Sequence, residues 1–280
     1  MNAVRLPIED TFGDILRKAM RGTKTNAAQL SKASGVSEAE IALRLKDAGE
    51  ATPDEARALA AALRLDGDKM VESAAQAWYP PAIERPDIRR HAQHPHPSNG
   101  YVIVNREGRA ALVDPAGTPR NLLRVLRDGD YDLQYVLITH KHDDHCDAAG
   151  AVAEAYPEAR IVMHPLDVFA IGSLAANAIP ANDGAMLPFG DETAIRVLHT
   201  PGHTDGSVCY LFDGAVFTGD TLFAASVGGA FGDESTYADI LESVGTKLFT
   251  LAGETDMMPG HGPPTTMALA RAHNAFFSNY

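Results

Sequence analysis

Apolar positions repeat in two different ways along this chain, and the change falls near residue 79. Before it, they recur at helical spacing. Ala56, Leu59, Ala60 and Leu63 form one apolar face behind Thr52 and Pro53, with proline at the first helical position, where its missing N–H costs nothing. Asn26 with Gln29, Ser37 with Glu40 and Thr52 with Glu55 make three capping pairs, each an oxygen-bearing side chain with Glu or Gln three residues on. Asp14–Met20 reads as a helix ahead of them, and Gly35 supplies the turn between the second and third helices. Tyr79-Pro80-Pro81, with Pro86, reads as a linker, because consecutive prolines end a helix and stiffen an extended segment.

Beyond the prolines, short β-rich apolar runs take over: Tyr101–Val104, Ala110–Val113, Tyr135–Ile138, Arg160–Met163 and Ile195–Leu198. Val208–Phe212 and Ala215–Thr218 are separated by Asp213-Gly214, a two-residue hairpin signal. Helical stretches near Thr118–Arg127 and Ala148–Ala155 fall between strands. The expected fold class is α/β: layered sheets covered by helices over residues 80–280, preceded by a small all-α unit over residues 1–79.

Composition narrows the function. With 280 residues, 45% hydrophobic and 22% charged, the chain is that of an ordinary globular protein of one large or two moderate domains. A formal charge of −13 argues against a general binder of nucleic acid or anionic membrane, since both surfaces would repel it. Met1–Arg21 lacks the apolar core of a signal peptide, and no apolar run approaches the roughly 18 residues of a membrane span. Cys146 and Cys209, the only cysteines, are too few for a disulfide framework, so a reduced cytoplasm is the expected compartment.

All eleven histidines lie between His91 and His273, and they cluster. The run Tyr135–Ile138 ends at Thr139-His140-Lys141-His142-Asp143-Asp144-His145. Imidazoles two residues apart on extended backbone point the same way, and a chain turning into a helix can aim Asp144 and His145 at a second position. One loop can thus serve two adjacent metals, a known device for activating water. His203 in Thr200-Pro201-Gly202-His203-Thr204, Asp220 in Phe217-Thr218-Gly219-Asp220-Thr221-Leu222-Phe223 and His261 in Pro259-Gly260-His261-Gly262-Pro263 each follow an apolar run on a tight turn, where a rigid scaffold displays functional groups. Isolated His91, His94, His96, His164 and His273 are read as structural, His199 as packing or support, Lys141 and Asp143 as facing solvent or backbone, and Cys146 as a small buried side chain.

His-x-His-x-Asp-His followed by a His, an Asp and a last His resembles the signature of the metallo-β-lactamase superfamily over Ser98–Gly262, and the phrases around His203, Asp220 and His261 are similar to short bacterial glyoxalase II-like hydrolases. The resemblance implies an αββα sandwich with the site on one edge. By position it implies His140, His142 and His203 on one metal, Asp144, His145 and His261 on the other, Asp220 bridging, and Asp114 supporting the histidine loop. It implies two divalent ions, zinc first with iron or manganese as alternatives, and metal-assisted hydrolysis of a small-molecule thioester or ester, with Asp144 orienting the nucleophile. A mononuclear iron persulfide dioxygenase and a lactone or β-lactam hydrolase share these ligands.

The stretch Phe12–Ala75 resembles the helix-turn-helix domain of phage-repressor-type regulators, which raises a further reading as a metabolite-sensing DNA-binding regulator. The helix expected to read bases opens Ser37-Glu38-Ala39-Glu40, however, and carboxylates repel phosphate. A bundle that dimerises the protein or covers part of the catalytic unit is the plainer expectation. Where the short homologues carry an Arg-Thr-Asp stretch this chain reads Ser226-Val227-Gly228-Gly229-Ala230-Phe231, so no arginine awaits an anionic substrate, and Gly228–Gly232 is either a wall or a lid.

Overall fold

Reciprocal side-chain caps set the helical starts at the N-terminal end. In the computed structural model, which describes residues 5–92, 98–115, 117–191, 193–230 and 236–278, five helices come first: α1 (Phe12–Gly22), α2 (Ala27–Ser34), α3 (Glu38–Arg44), α4 (Pro53–Leu63) and α5 (Gly67–Ala74). The three expected boxes form at Asn26, Ser37 and Thr52, and a fourth, Thr11 with Asp14, opens α1. Gly35 ends α2 at φ +77°, a left-handed position that costs glycine little. His94, His96, Phe231 and Gly232 lie outside the described residues.

Two six-stranded sheets follow, each in simple sequential order. The first contains β1 (Ile88–Ala92), β2 (Asn99–Val104), β3 (Arg109–Val113), β4 (Asp132–Leu137), β5 (Arg160–Met163) and β6 (Ile179–Pro180). The second contains β7 (Met186–Pro188), β8 (Ala194–His199), β9 (Val208–Phe212), β10 (Ala215–Gly219), β11 (Asp256–Pro259) and β12 (Thr265–Thr266). Asp213 and Gly214, at φ 42° and 74°, make the tight turn between β9 and β10 that positive φ at both central positions allows. The remaining α-helices among the described residues are α6 (Pro119–Asp128), α7 (Asp143–Cys146), α8 (Ala149–Ala155), α9 (Tyr237–Ser243) and α10 (Met267–His273).

Alternation along the strands sorts side chains into three cores. Tyr101, Ile103, Ala111, Val113, Tyr135 and Leu137 from the first sheet meet Ile195, Val197, Val208, Tyr210 and Phe217 from the second between the sheets. Their neighbours Val102, Ala110, Leu112 and Val136 turn outward under α6 and α8. On the far side of the second sheet, Leu198, Cys209, Val216 and Met257 share one apolar cluster with the α9 and α10 residues and with Leu16, Leu30, Ile41, Leu59 and Met70 of the first five helices. The architecture is therefore an α/β sandwich, helix–sheet–sheet–helix, preceded by an all-α region whose helices pack on one of its outer faces.

Polar contacts reinforce that packing. Lys69 Nζ donates to the carbonyls of Arg271 (2.8 Å) and Phe277 (2.6 Å), Asp66 N donates to Ala275 O (2.8 Å), and the Trp78 ring stacks on His273 at 4.1 Å. Among the described residues no helix is long and apolar enough to cross a membrane.

Candidate metal centre

Strand ends deliver every group of the candidate site to one edge. Asp114 follows β3, Thr139 to Asp144 follow β4, His203 sits between β8 and β9, Asp220 follows β10 and His261 follows β11. The pairs β3–β4 and β10–β11 are parallel, so their carboxyl ends open on the same side. The β2 start ties the sheets together there: Asn99 N donates to Gly260 O (2.7 Å), Asn99 Nδ2 to Gly262 O (2.9 Å) and Tyr101 Oη to Pro259 O (2.7 Å). Ser98 Oγ donates to Asp144 O at 2.6 Å.

The seven side chains converge as three overlapping clusters: His140, His142 and His203; His140, His145 and Asp220; and Asp144, His145 and His261. His142 Nδ1 lies 3.1 Å from His140 Nε2 and 2.9 Å from His203 Nε2, and His145 Nε2 lies 3.4 Å from His261 Nε2. Asp144 Oδ2 is 3.2 Å from His261 Nε2 and 3.5 Å from His145 Nε2. Asp220 stands between the groups, its Oδ1 3.4 Å from His145 Nε2 and its Oδ2 3.5 Å from both His203 Nε2 and His261 Nε2.

Tautomers follow from the hydrogen bonds behind these rings. The Asp114 carboxylate accepts from Thr139 N (2.8 Å), from Thr139 Oγ1 (2.9 Å) and from His145 Nδ1 (2.9 Å). Because Thr139 Oγ1 gives its proton to Asp114, it is left to accept from His140 Nδ1 at 3.0 Å. His203 Nδ1 donates to Gly229 O at 2.6 Å. His140, His145 and His203 therefore each turn Nε2 inward, as the nitrogen open to a cation or a proton. His142 Nδ1 lies 3.1 and 2.9 Å from those of His140 and His203, and lone pairs at that separation repel unless a cation or proton lies between them. Asp220 Oδ1 points the same way, buried with no hydrogen-bond partner among the described residues. The donor set, imidazole and carboxylate with no thiolate, fits divalent zinc, iron or manganese.

Electrostatics divides the cluster. Burial holds His203 down to about 4 and His140 well below the ordinary imidazole range, with neighbouring imidazoles adding to the effect on His140. Burial also lowers His142, so these three rings are neutral, the form that binds metal. Burial opposes the charged form of His145, but Asp220 and Asp114 outweigh it and push the imidazole up to about 9. Burial likewise opposes ionisation of Asp220 and Asp144, yet the surrounding imidazoles hold both carboxyls below the usual range.

Two glycines make the close approach possible. A Cβ at Gly260 would stand 2.7 Å from His145 Cε1 and nearer still to Asp220 Oδ1. A Cβ at Gly228 would collide with the Asp220 carbonyl and lie 3.2 Å from His203 Nδ1. Gly228 and Gly229 thus brace Asp220 and His203, a role that spacing alone did not reveal. Asp114 itself adopts φ +54° directly after β3, an uncommon position that Asp tolerates better than most residues.

Among the described residues, His164, His199, His273 and Lys141, read as bystanders, have contacts away from the cluster. His199 stacks on His164 at 4.1 Å and its Nε2 donates to Asp205 O at 2.8 Å. His273 pairs with Glu72 at 2.6 Å. Lys141 N donates to Asp167 Oδ2 at 3.0 Å, and the Cys146 thiol, pushed up to about 12 by burial, faces Lys141 O at 3.6 Å.

Known proteins are similar to this chain in sequence and fold. Residues 94–247 match the family model described as Metallo-beta-lactamase superfamily. The Haemophilus influenzae hydroxyacylglutathione hydrolase GloC is 30% identical over 198 residues, which cover 65% of this chain and 93% of that protein. Among solved structures, ETHE1 from Myxococcus xanthus superposes with a TM-score of 0.60 at 30% identity, covering 68% of this chain and 84% of that one. TTHA1623 in a di-iron-bound form gives a TM-score of 0.57 at 30% identity, covering 71% and 100%. With the sandwich, the strand-end cluster and these matches together, the chain belongs to the metallo-β-lactamase superfamily, and residues 94–247 carry its hydrolase domain.

Proposed function

We propose that the chain is a dinuclear metallo-hydrolase that cleaves a small thioester or ester, in the manner named for the hydroxyacylglutathione hydrolases it resembles. The carrying observation is that seven inward-facing donors form two triads with Asp220 between them. His140, His142 and His203 would hold one ion, Asp144, His145 and His261 the other, and Asp220 would touch both. Zinc is our first choice, with iron or manganese suited to the same donors; the di-iron form of TTHA1623 supports a pair of ions.

A bound pair of divalent ions supplies a nucleophile at neutral pH and polarises an acyl carbonyl. The protein's share is positional. Asp114, directly and through Thr139, fixes the tautomers of His145 and His140. Asp144, a quarter exposed, is the proposed ligand carboxylate more open to solvent, and we assign it the orientation of the attacking water. A thiolate is a good leaving group, so a thioester needs no strong general acid.

Incubation with thioester, ester and lactone panels, with thiol or acid release as readout, tests the reading. Hydrolysis lost in chelator and restored by divalent metal supports it. Oxygen consumption with a persulfide and one iron per chain would select the dioxygenase instead. We assign the helical region to support of the catalytic unit, because it shares an apolar core with the second sheet and α3 opens on Glu38 and Glu40. A salt-dependent shift of duplex DNA at micromolar protein would overturn that assignment.

A further inference from the structure

Three inward-facing imidazoles have a hydrogen-bond acceptor behind them: Asp114 for His145, Thr139 for His140 and Gly229 O for His203. His261 differs. Its Nδ1 is buried and has no hydrogen-bond partner among the described residues. A carboxylate placed to fill that role comes from the segment that leads into α1: Glu9 Oε2 lies 3.9 Å from His261 Nδ1.

The segment is held against the site by several contacts. At its start, Tyr79 Oη donates to Leu6 O at 2.8 Å and the Arg5 guanidinium lies 3.5 Å over the Tyr79 ring. At its end, Asp10 is buried against Lys18 at 2.5 Å, and Lys18 Nζ also donates to Val227 O at 2.7 Å. The Lys18 ammonium sits 5.0 Å over the Phe223 ring, which meets His261 edge-on at 5.9 Å. Backbone approaches are close as well: a Cβ at Gly262 would stand 3.1 Å from Glu9 N.

Resting on the dinuclear reading above, we propose that Glu9 is a positioning residue for the metal centre: its carboxylate accepts the Nδ1 proton of His261, directly after a small side-chain rotation or through one water. This holds the His261 Nε2 lone pair toward Asp144 and Asp220. Carboxylates behind metal-binding imidazoles fix tautomer and ring orientation and raise ligand basicity, and losing one typically costs 10–100-fold in metal affinity. The N-terminal helical region thereby reaches into the chemistry: it carries a group that completes the second metal position, the one built from Asp144, His145 and His261.

The test is a titration of chelator-stripped full-length wild type, Glu9→Gln and Glu9→Ala with Zn(II) against a chromophoric competitor, repeated with Co(II) to follow the visible bands of each position. The first equivalent is expected to bind equally to all three. The second is expected to weaken about 10–100-fold in Glu9→Ala, with altered Co(II) bands, and to recover most of that loss in Glu9→Gln, whose amide oxygen still accepts. Equal second-site affinity in wild type and Glu9→Ala overturns the proposal while leaving the dinuclear reading intact. So does equal weakening of both equivalents together with a lowered thermal midpoint of the stripped protein, which would mark a merely structural effect, and so does a Gln variant as weak as Ala. A wild type that never binds a second equivalent overturns both.

Discussion

Gly260→Ala adds one methyl group where the side chains of two proposed ligands, His145 and Asp220, pass close to backbone. The new Cβ would stand 2.7 Å from His145 Cε1, about 0.7 Å inside the 3.4 Å at which ordinary contact begins, and Asp220 Oδ1 lies nearer still. Gly260 has no positive φ, so alanine meets no backbone penalty and the effect is steric. Neither neighbour can retreat easily. His145 is fully buried and tied to Asp114 at 2.9 Å, and Asp220 packs with its backbone close to Gly228. The ligands must therefore spread by several tenths of an ångström to about an ångström, a displacement that can cost about 100-fold in rate, with about 1–3 kcal/mol of overpacking in the metal-free protein. The expected outcome is loss of both ions from Gly260→Ala after dialysis against a weak chelator that leaves wild type loaded, with hydrolysis falling about 100-fold. Gly150→Ala is the control. It lies in α8 with nothing within 4 Å of its Cβ, and should keep metal and gain about 0.4–1 kcal/mol. A Gly260→Ala protein with wild-type metal content and activity would refute the reasoning, since the packing around Asp220 would then not position the ligands.

Other consequences are open to direct measurement. Asp114→Ala should lower metal affinity about 10–100-fold, because Thr139 and His145 lose their common acceptor; competition with a chelator checks it, and unchanged affinity contradicts the tautomer assignment. In Gly22→Ala the new Cβ would press on the Tyr237 ring, 2.7 Å from Cδ2, so urea unfolding should show a loss of about 1–3 kcal/mol if α1 is docked as described. Burial holds His203 down to about 4, so between about pH 6.5 and 4 the unfolded chain takes up a proton that the folded chain refuses. Chelator-stripped protein should accordingly lose stability as pH falls through that window, with a shallower fall in His203→Asn, and equal slopes for the two proteins would count against it.

Much of this was written in the apolar pattern. Arg160–Met163 and Val208–Phe212 are strands with the bounds expected of them, and the Asp213-Gly214 hairpin and the three capping boxes form where the residue types require. The short strands were not legible. β6, β7 and β12 are two or three residues long, and β1 is Ile-Arg-Arg-His-Ala, with too few apolar positions to set a period. The proposed ligands stood out because three imidazoles and two carboxylates in one loop are costly to bury without a metal. The supports behind them could not. Gly229 acts through a carbonyl that every residue has, Gly228 through the side chain it lacks, and Glu9 lies more than 250 positions from His261 in sequence. Such contacts belong to tertiary structure, and no local spacing encodes them.

Elemental analysis of the full chain, purified without added metal or chelator, tests the central claim most directly. Two divalent ions of zinc, iron or manganese per chain are predicted, falling to one or none in Asp220→Ala with the fold retained. A single ion in wild type, or two ions undiminished in Asp220→Ala, would contradict a dinuclear centre built around Asp220.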